Sequence, residues 1–97
     1  MSLERDADRG RMASEVLDNP VYAESYALVE QELTKKWLAS RDAHEREQLH
    51  QLAKALKACR TVLESTMRSG KVASKELERR RSLPERVGMT LRRFSGA

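Results

Sequence analysis

The chain has 97 residues, 35% of them charged and 4% aromatic, with a formal net charge of +4. That length allows one small domain with a limited core, and the scarcity of aromatic, Gly and Pro residues beside abundant Leu, Ala, Glu, Arg and Lys excludes a sheet-rich fold. The single Cys59 excludes an intrachain disulfide and a cysteine-based zinc site, and no apolar run approaches the ~20 residues of a membrane-spanning helix. The N-terminus also has no apolar core of a secretory signal, so an intracellular, reducing setting is expected.

Charge is unevenly distributed. Residues 1–19 carry a net −2 and 20–40 a net −1, whereas 41–69 carry +2 and 70–97 carry +5. The body is near neutral and the C-terminal end is cationic, unlike a domain that spreads basic residues over one face for nucleic acid.

In chain order, residues 1–18 mix charges around Gly10 and then offer Met12, Val16 and Leu17, which predicts a loose start and a short helix. Asn19-Pro20 marks a new helix, because Asn caps well and Pro is preorganised for the first helical position. From Pro20 to about Ala39, Tyr22, Tyr26, Val29, Leu33 and Trp37 recur at steps of four, three, four and four, one stripe of an amphipathic helix. A turn is expected at 39–42, where Asp42 and Glu45 have capping-box spacing.

A second long helix is expected from about Ala43 to Ser69. Leu49, Leu52, Leu56, Cys59, Leu63 and Thr66 alternate by three and four, the period of a coiled-coil seam, and Gly70 is read as a left-handed C-terminal stop. The short link between the two helices predicts an antiparallel hairpin over 19–70, stripe against seam.

Residues 71–97 form a basic arm. A short polar helix is expected after Ser74, then a further one launched at Ser82-Leu83-Pro84-Glu85, in which Val87, Leu91 and Phe94 share a face and Gly88 weakens the helix by up to about 1 kcal/mol. The fold class is therefore all-α: an antiparallel helical hairpin with short flanking N- and C-terminal helices. Self-association is expected to supply part of the burial.

No chemistry-bearing constellation stands out. His44 and His50 lie six apart, on different helix faces, so no metal site is expected; Cys59 reads as a small packed hydrophobe; and the glycines Gly10, Gly70, Gly88 and Gly96 form no phosphate loop. Without an apolar pocket the carboxylates read as solvated, and no catalysis, cofactor or small-molecule substrate is expected. Tyr22, Tyr26 and Trp37 read as core rather than as a base-stacking platform.

Two readings compete for the arm. Val87, Leu91 and Phe94 are an i, i+4, i+7 set suited to a groove on a protein, with the arginines as its polar rim. Arg79, Arg80, Arg81, Arg86, Arg92 and Arg93 are the candidate nucleic-acid contacts, in a stretch interrupted by Glu76, Glu78 and Glu85. Protein docking is the first reading, nucleic acid the second, and a membrane-surface helix is set aside because the segment is short and interrupted.

The run from Asp18 to Leu77 resembles a group of small helical-hairpin proteins encoded by tailed bacteriophages and prophages. The resemblance lies in Asn19-Pro20, the Tyr22 to Trp37 stripe, Arg41-Asp42 followed by Arg46-Glu47-Gln48-Leu49, and Ser69-Gly70-Lys71. It implies no activity. It does imply a phage-encoded structural or assembly protein, such as a minor capsid, adaptor or decoration component, found in the virion or the host cytoplasm and bound to other phage structural proteins. A nucleic-acid-associated packaging or regulatory accessory and an inhibitor of a host enzyme or defence complex are the alternatives.

Overall fold

The computed structural model describes residues 2–95, with side chains from 2 to 83. It is all-helical: α1 spans Leu3–Asp18, α2 Pro20–Ala39 and α3 Ala43–Ser95, with no strand among the described residues. The molecule is a rod with extents of 83 × 24 × 19 Å, its length matching the about 80 Å that the 53 residues of α3 span at 1.5 Å each. Its radius of gyration is 22.9 Å, against about 12.5 Å for a compact domain of this length.

The N-terminus is not a loose start. Ser2 caps α1 by accepting from the Arg5 N–H at 3.1 Å, and Glu4 and Asp6 place negative charge in the first turn, where the helix dipole favours it. Arg11 bridges Asp8 and Glu15 at 2.6 and 3.2 Å along the exposed side. Both are fully solvated i, i+3 and i, i+4 pairs of the kind that favour a helix only slightly.

α2 begins as expected. The Asn19 side chain accepts from the N–H groups of Val21 and Tyr22 at 2.9 and 3.2 Å, and Pro20 occupies the first helical turn. The α2–α3 turn is residues 40–42. There the buried Ser40 hydroxyl bonds to both the carbonyl and the N–H of Asp42 at 3.3 Å, and Asp42 in turn caps α3 by accepting from His44 N–H at 3.1 Å.

Gly70 does not end a helix. No described glycine has a positive φ, and α3 runs unbroken through it, so the separate helices expected after Ser74 and from Ser82 are parts of α3. Ser82 makes no cap either, since its hydroxyl donates to the Arg79 carbonyl at 3.1 Å. The missing Cβ of Gly70 serves helix packing instead. α1 crosses α3 with Gly10 against Gly70, so close that a methyl group added at either would overlap the Cα of the other. One added at Gly70 would also lie 3.0 Å from the Asp6 carbonyl oxygen, and one at Gly10 3.1 Å from that of Thr66. Gly10 and Gly70 are buried here, and so are Ala13 and Ala73.

α1 is the helix that lies closest along α3, and α2 stands further off with larger side chains between. The α3 row at seven-residue spacing, Leu49, Leu56, Leu63, Gly70 and Leu77, is buried or half-buried throughout. The second row of the expected seam divides: Thr66 is half-buried and Ala73 buried near α1, but Leu52 is 56% exposed and Cys59 is exposed. Cys59 is thus not a packed hydrophobe. A seam pattern marks one helix face, and the groove where α2 meets α3 is lined by Leu49 and Leu56 of it and by neither Leu52 nor Cys59.

The crossing sets the sign of one substitution. Ala normally favours a helix interior over Gly by about 1 kcal/mol, but at Gly70 the obstructing atoms are backbone and cannot move aside as a side chain would. Gly70→Ala is expected to lower stability by about 1–3 kcal/mol, with the melting temperature falling by about 4–8 °C per kcal/mol. Thermal and denaturant unfolding followed by circular dichroism check it; an unchanged or raised midpoint contradicts the close crossing.

Candidate interaction surfaces

Where α2 meets α3, two arginines stand in for a bulky core. The Arg46 guanidinium lies 3.8 Å from the centre of the Trp37 ring, and that of Arg60 lies 4.8 Å from the Tyr26 ring centre. Each covers an aromatic face with a flat, weakly hydrated cation. Tyr26 is buried and its ring tilts against Tyr22 at a centroid distance of 6.2 Å; burial, and then the charge of Glu30, push its phenol above the usual range. Trp37 remains 39% exposed, on the wall of an open groove of about 260 Å³ that Leu33, Leu49, Ala53 and Leu56 also line. His50 stands at its rim beside Lys57.

These features make a packed junction between α2 and α3. Besides His50 and Lys57 the groove is lined by the polar residues Glu30 and Thr34, and no group of three His, Cys, Asp or Glu that could hold a metal occurs among the described residues. His44 is exposed on the first turn of α3. Nor is any helix among the described residues long and apolar enough to cross a membrane.

At the root of the arm, Glu76 gathers two of the candidate nucleic-acid contacts. Arg79 donates to it twice, Nη2 to Oε1 at 2.7 Å and Nε to Oε2 at 3.0 Å, and Arg80 donates from Nε to Oε1 at 3.1 Å. The Arg79 hydrogen bonds first, and those of Arg80 second, hold the Glu76 carboxyl down at about 2, against an ordinary 4.5. Reciprocally, Glu76 raises the Arg79 guanidinium. Arg81 is exposed beside them. Glu76 thus engages Nε and Nη2 of Arg79 and Nε of Arg80, in pairs that stay largely exposed.

Val87, Leu91, Phe94, Arg86, Arg92 and Arg93 lie outside the described side chains; the α3 backbone passes through them as helix. Their spacing carries information of its own. The alternation of three and four that starts at Leu49 continues through Gly70, Ala73 and Leu77, skips over Arg80 and Pro84, and returns at Val87, Leu91 and Phe94. The anchor set is in phase with the seam.

Sequence reasoning missed the apolar residues that the fold leaves uncovered. Val21, Leu28, Leu38, Val62 and Val72 are each exposed by more than 60%, and Met12 by 53%. Val62 and Val72 fall off the seam positions, and Val21, Leu28 and Leu38 off the α2 stripe; the signal was present as apolar residues on the wrong side of each helix. Among known proteins, no family model, no curated protein and no solved structure matches this chain.

The glutamate–arginine cluster makes a pH prediction. A carboxyl whose folded value is depressed supports the structure above its unfolded value near 4.5, and that support is lost as the pH falls through about 2. Carboxyl-detected NMR of the full chain is expected to show Glu76 titrating near 2 and moving up toward 4.5 in Arg79→Ala; titration of Glu76 near 4.5 in the native chain contradicts the cluster.

Proposed function

We propose that the protein is a non-enzymatic structural or assembly component, of the phage virion kind that the sequence resemblance implies: a minor capsid, adaptor or decoration protein that self-associates and docks through its C-terminal arm. The observation that carries this reading is surface. The chain exposes 8114 Å², whereas a compact monomer of 11.1 kDa exposes about 5,700 Å², an excess of about 2,400 Å². No large side chain is fully buried among the described residues. A rod with so little core draws stability from what lies against it, and a protein of that build serves as a connecting part rather than as a vessel for chemistry.

Its architecture is read as an antiparallel hairpin of α2 and the first half of α3, with α1 laid along the second half. Trp37 late in α2 meets Arg46 early in α3, and Tyr26 early in α2 meets Arg60 further on, which supports opposite chain directions. Val87, Leu91 and Phe94 then form the docking end, in phase with the seam. The virion or the host cytoplasm is the proposed location, and other phage structural proteins are the proposed partners.

The nucleic-acid reading rests on the net +5 of residues 70–97. Glu76 counts against it, because Arg79 and Arg80 would have to leave a carboxylate to reach a phosphate. For the first reading, light scattering at micromolar concentration should give more than one chain mass, and a pull-down from infected cells should recover a virion protein with the full chain and lose it when residues 82–97 are removed. A folded monomer that keeps its partner without the arm contradicts it. Salt-dependent retention of DNA or RNA, abolished in the Arg79→Ala, Arg80→Ala, Arg81→Ala triple variant at unchanged oligomer size, would favour the nucleic-acid reading instead.

A further inference from the structure

One face of α3 is free of charge. Between Gln48 and Ser69 the positions centred on Gln51, Leu52, Ala55, Ala58, Cys59 and Val62 carry neither acid nor base, in a chain that is 35% charged. All six are exposed, Val62 by 65%. α2 packs against the neighbouring row of Leu49 and Leu56, and α1 crosses further along at Thr66 and Gly70, so the face lies beside both helices and under neither. From Gln51 to Val62 it is about 17 Å long, and the small residues at its middle let a second helix approach to about 8 Å. The chain already makes its closest helix contact with small residues, Gly10 and Ala13 on one side and Gly70 and Ala73 on the other.

We propose that this face pairs with the same face of a second copy of this chain, the two α3 helices antiparallel about a two-fold axis near Lys57 and Ala58. The proposal rests on the self-association half of the functional reading and gives it a surface and a direction. In a two-fold contact residue i meets j and j meets i, so a charge at the axis would face its own copy, and the uncharged Ala58 stands there. A patch without charge is suited to that partner and offers nothing to nucleic acid.

The direction follows from the row bordering the face. Glu47, Lys54, Thr61 and Arg68 are spaced by sevens and all exposed. In a parallel pair the two copies of this row lie on opposite sides of the contact and do not meet. The antiparallel pair sets Glu47 beside Arg68 of the partner subunit, twice by symmetry, and Lys54 beside the neutral Thr61 of the partner subunit. Only the antiparallel direction gains these two attractions. The size also fits: a standard interface removes about 1,200–2,000 Å² in all, within the surplus that two such rods expose.

The full chain supplies its own probe. Sedimentation equilibrium at micromolar concentration should give twice the 11.1 kDa chain mass. A short bismaleimide should join Cys59 to Cys59 of the partner subunit into a covalent dimer, which Val62→Arg should abolish while helicity by circular dichroism is retained. Glu47→Arg and Arg68→Glu should each weaken the dimer by about tenfold, and the two together should restore it, from the loss and reversal of two ion pairs. A single-chain mass for the native protein would overturn both this proposal and self-association itself. A dimer that Cys59 cannot cross-link overturns this face alone, even if Val62→Arg fails to fold, and a doubly reversed variant that stays weak overturns the antiparallel direction.

Discussion

The rest of the molecule depends on how closely α1 approaches α3. Two helices can touch at the backbone only where neither carries a Cβ, and Gly10 and Gly70 are the pair that meets that condition, with Ala13 and Ala73 buried alongside. Once α1 is held there, its end at Asp18 fixes where Asn19-Pro20 restarts the chain, and hence where α2 runs against the first half of α3. The contact gains many small dispersion interactions but little apolar area, because Gly and Ala have little to bury. α1 is held by fit, and bulk plays a minor part.

α2 is held differently. Its contact side uses Tyr22, Tyr26, Leu33 and Trp37, yet only Tyr26 is buried, and guanidinium groups from Arg46 and Arg60 cover the faces that other residues would cover in a thicker protein. An arginine does this while remaining at the surface, its stem against the ring and its edges in water. Arg60 also reaches Glu64 at 3.1 Å, so one side chain serves a ring and a carboxylate. Arg11, Arg46, Arg60, Arg79 and Arg80 are in this way all engaged in the fold's own contacts.

Much of this was legible in the sequence, and the failures are specific. Asn19-Pro20 and Asp42 gave the ends of α2 and the start of α3 because capping is local chemistry, decided within four residues. Gly70 was misread because a glycine after a heptad run has two uses, a left-handed stop or a bare patch of backbone, and only a partner helix distant in sequence distinguishes them. A clue lay downstream: Ala73 and Leu77 keep the three-and-four alternation that a true stop would break. For Leu52 and Cys59 periodicity named the right helix face but not which row of it a single neighbour would cover. The site was less legible than the fold. The Arg79 to Arg81 run showed in composition, but the capture of two of its members by Glu76 is a matter of side-chain geometry, and the anchor residues Val87, Leu91 and Phe94 fall outside the described side chains.

A single unbroken α3 has a mechanical consequence. The distance and the bearing of the arm relative to the body are both set by an integer, the number of residues between them, at 1.5 Å and about 100° apiece. Lengthening the shaft by seven residues would carry the tip about 10 Å outward while leaving its azimuth nearly unchanged, whereas adding two would swing it to the far side. The protein is in effect a gauge rod: steps of seven or eleven residues would change the reach of its C-terminal end and hold its azimuth within about 20°.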